Sequence, residues 1–258
     1  MAIKIKLSYV LPTFNEIENL DFLFNQIKQL EDINFIEFIF VDDNSTDGTF
    51  EYLCIKKDKF NNIRILKRFE DKGLSKSIKA GFLISRGEYV VVMDTDGQHE
   101  IKTTMNLYKQ IHKEKLDLVI ASRFLKGSII ENFPIMRLIF SKIGNFISRV
   151  SLSSKYSFLT DYMSGCFILK KQSCIKYVEE IEPKGFKFLY TLLNQSKGNL
   201  NVRELPHNFK KRRYGKSKLN FYNLFLYLIS VVKKLLSICI KCSRINLSKI
   251  YKQYPNRK

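Results

Sequence analysis

The stretch Val90-Val91-Val92-Met93-Asp94-Thr95-Asp96-Gly97-Gln98-His99 decides how the rest of the chain is read. A run of β-branched and apolar residues reads as a buried strand. It delivers two acids, one residue apart, onto a loop. Side chains alternate along an extended chain, so Asp94, Asp96 and Gln98 share one face if that geometry persists past the strand. Three oxygen ligands on one face suit a hard divalent cation, Mg²⁺ or Mn²⁺, held together with phosphate oxygens. A turn carrying solvated acids is the plainer reading of the same residues.

Working outward, short apolar runs alternate with longer amphipathic ones. Leu7–Leu11, Ile36–Val41, Ile63–Leu66, Tyr89–Met93 and Leu118–Ala121 read as strands. Glu16–Leu30 places Ile17, Leu20, Leu23, Ile27 and Leu30 on one helical face, with Asn15 as the expected N-cap. Thr49–Lys59, Leu74–Arg86, Glu100–Lys113 and Ile135–Val150 also read as helices. The alternation predicts an α/β fold, a mostly parallel central sheet flanked by helices. Such sheets bind ligands at the carboxyl ends of their strands. The polar clusters fall there: Pro12–Glu16, Asp42–Gly48, Asp94–His99 and Ser122-Arg123. In the helix beyond, Arg137, Ser141 and Asn145 recur every four residues and form one stripe, either a solvated face or an anion clamp beside the site.

The 258 residues carry 44 Lys+Arg against 25 Asp+Glu, a formal charge of +19. That surplus fits anionic partners such as phosphates or acidic headgroups. Nucleic acid is disfavoured, because the acids cluster at strand ends and no nucleic-acid motif appears. Met1 to Val10 lacks the long apolar core of a secretory signal. Five Cys without a paired framework fit a reducing compartment, and Cys239-x-x-Cys242 stands without the second pair a zinc site needs.

Seven stretches together resemble the family 2 glycosyltransferases of GT-A fold, in their dolichol-phosphate mannosyltransferase-like branch, over roughly residues 7–220. They are Leu11–Glu16, Val41–Thr49, Lys72-Gly73-Leu74 with Ala80-Gly81-Phe82, Met93–His99, Ser122–Phe124, Asp161–Gly165 and Arg212–Lys218. The resemblance implies that Asp94, Asp96 and Arg123 carry catalysis, with Asp94, Asp96 and Gln98 on Mg²⁺ or Mn²⁺. It implies a nucleotide-sugar site of Pro12, Thr13, Asn15, Glu16, Asp43, Lys72, Gly73, Asp94, Asp96, Arg212 and Lys218. Arg123, Arg137 and Ser141 would take the acceptor phosphate. Asp42 and Asp43 also read as an Asx turn, and Lys210–Arg213 as a solvated basic loop.

The implied reaction moves a hexose, mannose from GDP-mannose or another hexose from a UDP-sugar, onto a polyprenyl phosphate with inversion. An acceptor phosphate is already ionised and needs no base, whereas a sugar hydroxyl does. Many relatives carry an acid around Gly185–Leu192, and this chain has none there. A glycan or lipid hydroxyl acceptor is the alternative. With no Trp, the chain lacks the Q-x-x-R-W signature of processive polysaccharide synthases. A sugar nucleotidyltransferase would need a Gly-rich start that is missing after the first strand.

The sequence divides into a catalytic domain, residues 1–218, and an amphipathic helical tail, residues 219–258. In the tail, Asn223, Ser230, Lys234, Ser237, Lys241 and Arg244 form a narrow polar stripe opposite a wide apolar face. Lys233-Lys234 at the centre of a bilayer would cost about 5–7 kcal/mol, and an interfacial helix avoids most of that. The tail therefore reads as a peripheral, monotopic attachment at the cytoplasmic face of a membrane. Packing on its own domain, or on a small membrane-protein partner, competes with that reading.

Overall fold

A computed structural model of the chain describes residues 4–30, 33–132, 134–182, 185 and 187–215. The tail and Lys218 lie outside the described residues. Seven strands form one sheet in the order β3-β2-β1-β4-β7-β5-β8. They are β1 (Leu7–Thr13), β2 (Ile36–Asp42), β3 (Ile63–Lys67), β4 (Tyr89–Met93), β5 (Leu118–Ser122), β7 (Cys166–Lys170) and β8 (Val202–Pro206). Only β7 runs against its neighbours β4 and β5. A small parallel ribbon pairs β6 (Ile129–Ile130) with β9 (Asn208–Phe209).

The strands form where apolar runs can be buried on both faces. Leu7, Tyr9, Leu11, Phe38, Phe40, Val91 and Met93 face one core, shared with α1 (Ile17–Lys28), α2 (Thr49–Lys59) and α4 (Ile101–Lys113). Val10, Ile39, Val41, Val90 and Val92 face the other, under α3 (Leu74–Ile84), α6 (Lys171–Glu180) and α7 (Phe188–Ser196). Gly81 lets α3 press onto the sheet, since a Cβ there would lie 2.5 Å from Val10 Cγ1. The expected mostly parallel α/β layering is what the chain adopts.

The chain builds β1, β2 and β3 outward in one direction and then returns to place β4 on the other side of β1. A crevice opens where the winding reverses. Pairing of β1 with β4 stops at Val10↔Val92, while β1 follows β2 as far as Thr13↔Asp42. Pro12 thus lies beyond the β4 pairing, where its missing N–H removes no bond to that strand. The helix α5 (Ile135–Ser151) also borders this crevice.

Two local expectations are corrected. Asn15 is not the cap of α1. It has a φ of 49°, and its Oδ1 accepts from Thr46 N at 2.9 Å. Asp47 does the capping, accepting from Ile17 N at 3.2 Å and from Thr49 N at 3.0 Å, so one carboxylate closes the starts of α1 and α2. The extended geometry past β4 also fails, because Gly97 turns the loop with a φ of 77°.

Candidate active site

A cavity of about 690 Å³ opens at the carboxyl ends of β1, β2, β4 and β5. Of the residues read from sequence, Pro12, Thr13, Glu16, Asp43, Lys72, Gly73, Asp94, Asp96, Gln98, Arg123, Arg137, Ser141 and Arg212 line it. Asn15 does not line it; its side chain is spent on the Thr46 amide.

The β2 end supplies two acids with different duties. Asp42 is fully buried and accepts from Ser45 N at 3.1 Å, the Asx turn expected of it. Asp43 faces the cavity. Its Oδ1 accepts from Arg68 at 2.8 Å and Ser77 at 2.7 Å, and its Oδ2 from Gly73 N at 2.7 Å. Gly73 makes this approach at a φ of 135°, a region open to glycine. Thr13 turns its hydroxyl back onto Leu11 O at 2.9 Å.

The Asp94–Gln98 loop is held from two sides. Thr95 donates to Pro12 O at 3.1 Å, bridging the split between β1 and β4. Gln98 donates its amide to Lys210 O at 3.0 Å, and Lys210 N returns a bond to Gln98 O at 3.1 Å. That pairing lays the 207–215 segment across the acids, so Arg212 reaches Asp96 Oδ2 at 2.6 Å and Glu16 Oε1 at 3.5 Å. Asp94 is backed by Gly165, where a Cβ would come within 2.9 Å of the Asp94 Cγ.

Burial and the neighbouring Asp96 push the Asp94 carboxyl up to about 7, against the pull of Arg212 and Arg123. Burial raises Asp96 as well, opposed chiefly by Arg212. Two crowded carboxylates that resist ionising are a donor set a divalent cation would relieve. Asp94 and Asp96 fit that role. Gln98 fits it through its carbonyl oxygen, since its amide nitrogen is tied to Lys210. Among the described residues no group of three or more His, Cys, Asp or Glu could hold a metal ion, so this set needs a non-protein ligand such as phosphate to be complete.

Arg123 lines the cavity and is held there by a buried partner. It is buried, and its Nε and Nη2 form a fork onto Asp161 at 2.7 and 2.8 Å. Its guanidinium also lies 5.5 Å from the Phe209 ring centre. The group is fixed in place before any ligand arrives. Arg137 and Ser141 on α5 face the same space, and burial with the like charges of Arg123 and Arg212 lowers the Arg137 pKa. Asn145, the third member of that stripe, instead accepts from Tyr162 N at 3.0 Å.

Sequence reasoning missed the apolar lining: Met136, Phe140, Phe188 and Leu189 also face the cavity. It quoted Asp161 and Gly165 without a role and passed over Arg68 and Ser77. His99, at the end of the acidic loop, stacks on His207 with Nδ1···Nε2 at 2.8 Å.

Residues 8–178 match the model of the family described as Glycosyl transferase family 2, and the chain belongs to that family. A dolichol-phosphate mannosyltransferase of Pyrococcus furiosus is 37% identical over 224 residues, 86% of this chain and 62% of the relative. The chain thus spans under two thirds of that protein's length. The dolichol-phosphate mannosyltransferase of Saccharomyces cerevisiae is 32% identical over 202 residues, 74% of this chain and 72% of that one. Among solved structures, glucosyl-3-phosphoglycerate synthase of Mycobacterium tuberculosis with Mn²⁺, UDP-glucose and phosphoglyceric acid superposes with a TM-score of 0.67. It is 18% identical, covering 91% of this chain and 80% of that one. S. aureus TarS in complex with UDP-GlcNAc gives a TM-score of 0.60 at 17% identity, over 90% of this chain and 67% of that one. These likenesses establish the GT-A fold.

Proposed function

We propose that the chain transfers a hexose from a nucleotide sugar to a polyprenyl phosphate, with mannose from GDP-mannose as the leading donor and a UDP-hexose as the other. The observation that carries the reading is a single cavity with two kinds of lining. Acids and guanidinium groups (Asp94, Asp96, Arg123, Arg137, Arg212) make up one part of that lining, and the apolar side chains of Met136, Phe140, Phe188 and Leu189 another. A diphosphate fits the first and the start of a lipid chain the second. The two dolichol-phosphate mannosyltransferases above support this substrate class.

In this reading Glu16 and Asp43 hold the ribose and base, with Pro12, Thr13, Lys72 and Gly73 shaping the pocket. Asp94, Asp96 and Gln98 hold Mg²⁺ or Mn²⁺, which supplies positive charge to the departing diphosphate. The Mycobacterium tuberculosis protein is described with Mn²⁺ and a UDP-sugar, which supports a divalent ion here. An acceptor phosphate oxygen, oriented by Arg123, Arg137 and Ser141, attacks the anomeric carbon. The C–O bond to the nucleoside diphosphate breaks with inversion, and no proton has to be removed from the acceptor.

A hydroxyl acceptor is the second reading. What favours it is the Asp94 carboxyl at about 7, a range suited to a general base. An Asp94 that serves as a cation ligand is not available for that task. Labelled GDP-mannose and UDP-hexoses, offered with polyprenyl phosphate, with the parent polyprenol and with glycans, separate the two. Label should enter the polyprenyl phosphate alone; label entering the polyprenol or the glycans instead would reject the proposal.

The surroundings of the cavity support a lipid surface as partner. Beside its mouth, α5 exposes Ile135, Met136, Ile139, Ile143, Phe146 and Val150, with Phe146 at 68%. Among the described residues no helix is long and apolar enough to cross a membrane. We propose a peripheral place on the cytoplasmic face, which the exposed apolar side of α5 supports, with residues 1–218 as the catalytic domain and 219–258 as an interfacial tail or the seat of a small membrane-protein partner.

A further inference from the structure

Glu204 lies on β8, at the edge of the sheet, and does not line the cavity. Its side chain is nevertheless buried, at 8% exposure. Three donors converge on its two oxygens. Thr160 N and Thr160 Oγ1 donate to Oε2 at 2.8 and 2.9 Å, and Asp161 N donates to Oε1 at 2.8 Å. Thr160 Oγ1 is also 2.6 Å from Ser122 Oγ, at the end of β5. Only a group that accepts at both oxygens satisfies this arrangement, which an ionised carboxylate does and a glutamine amide does not.

The backbone so held is the one that presents Asp161. That fully buried carboxylate accepts Arg123 N at 3.2 Å in addition to the guanidinium fork. The same loop continues through Met163, Ser164 and Gly165 into the cavity wall, where Gly165 abuts Asp94. A rigid path therefore runs from a carboxylate on the sheet edge, through two main-chain amides, to the guanidinium inside the cavity.

We propose that Glu204 is a positioning residue of the transfer reaction, fixing the Thr160-Asp161 backbone so that Asp161 aims Arg123 at the acceptor phosphate. The inference rests on the acceptor reading above. Its effect belongs to the acceptor contacts, because Glu16, Asp43 and Arg212 come from other elements and Asp94 meets this loop at Gly165, beyond the Thr160 and Asp161 amides that Glu204 holds.

The test compares wild type, Glu204→Gln and Thr160→Val, each checked for cooperative thermal unfolding. The readouts are donor Kd with Mn²⁺, acceptor KM with polyprenyl phosphate, and kcat. Glu204→Gln should raise the acceptor KM on the order of tenfold, with donor Kd within about twofold. Thr160→Val removes one of the three donors and should move the acceptor KM the same way by less. An Asp161→Asn/Glu204→Gln double variant should be no worse than Asp161→Asn alone, since both act through one path. A folded Glu204→Gln protein with unchanged acceptor KM, or one losing donor affinity in parallel, would overturn the inference. Wild type that labels no polyprenyl phosphate under any donor would defeat the functional reading itself, and the inference with it.

Discussion

Asp94 and Asp96 sit side by side at the end of β4, yet their surroundings differ. Asp96 is paired with Arg212 at 2.6 Å, whereas Asp94 rests against Gly165 and carries the carboxyl pushed up to about 7. Replacing Asp96 with Asn removes charge from the diphosphate end of the cavity. Turnover should fall about 10²–10³-fold, by analogy with losing one electrostatic stabiliser, and near-normal steady-state rates would refute the assignment. His207 gives a second residue-scale prediction. Burial, and then the nearby Arg123, hold its imidazole down at about 4, while an unfolded His titrates near 6.5. Between those values the unfolded chain binds the extra proton, so stability is lost as pH falls from about 6.5 towards 4, by up to about 1.4 kcal/mol per pH unit. Denaturant unfolding across that window should show the slope, and His207→Asn should lessen it, leaving the share of His99, which burial also holds well below its ordinary value; an unchanged slope would remove His207 as a source. The Asp-x-Asp pair was legible because an apolar strand ran straight into it. Asp161 and Glu204 were not, since their partners lie 38 and 44 or 43 residues away and no local pattern marks them.

The first five strands and five helices were readable because each carries its own period: a short β-branched run for a fully buried strand, a four-residue recurrence for a helix. Their observed ends fall within a few residues of those expected. The later elements lack that signal. β8 (Val-Arg-Glu-Leu-Pro) is a sheet edge with little apolar content, and the antiparallel course of β7 depends on which neighbours it finds. Capping was misread for a related reason. Asn15 is the right residue type in the right place, but Asp47 arrives from a loop 30 residues on and takes the Ile17 amide. Asp47→Ala should therefore weaken α1 and α2 together, costing about 1–2 kcal/mol in thermal or denaturant unfolding. A loss of a few tenths would mean that the two amides find other acceptors without strain.

At the scale of the molecule, the cavity adjoins the exposed apolar face of α5, and the whole chain bears a formal charge of +19. A bilayer with anionic headgroups matches all three. Placing charge on that face, as in an Ile143→Glu/Phe146→Glu variant, should reduce transfer to vesicle-embedded acceptor on the order of tenfold. Transfer to a short, water-soluble polyprenyl-phosphate analogue should persist, and equal loss on both acceptors would show that the face serves folding instead. Composition announced an anionic partner, but only the fold shows the apolar lining in one cavity with the guanidinium groups, because α5 and α7 are brought together from distant parts of the chain. The account depends most on where the donor's diphosphate lies. A crystal structure with a nucleotide sugar and Mn²⁺ measures that directly. It should place the metal's anomalous signal on Asp94 and Asp96, with the diphosphate bridging it towards Arg212. A diphosphate bound elsewhere in the protein, with these carboxylates free of metal, would contradict the account.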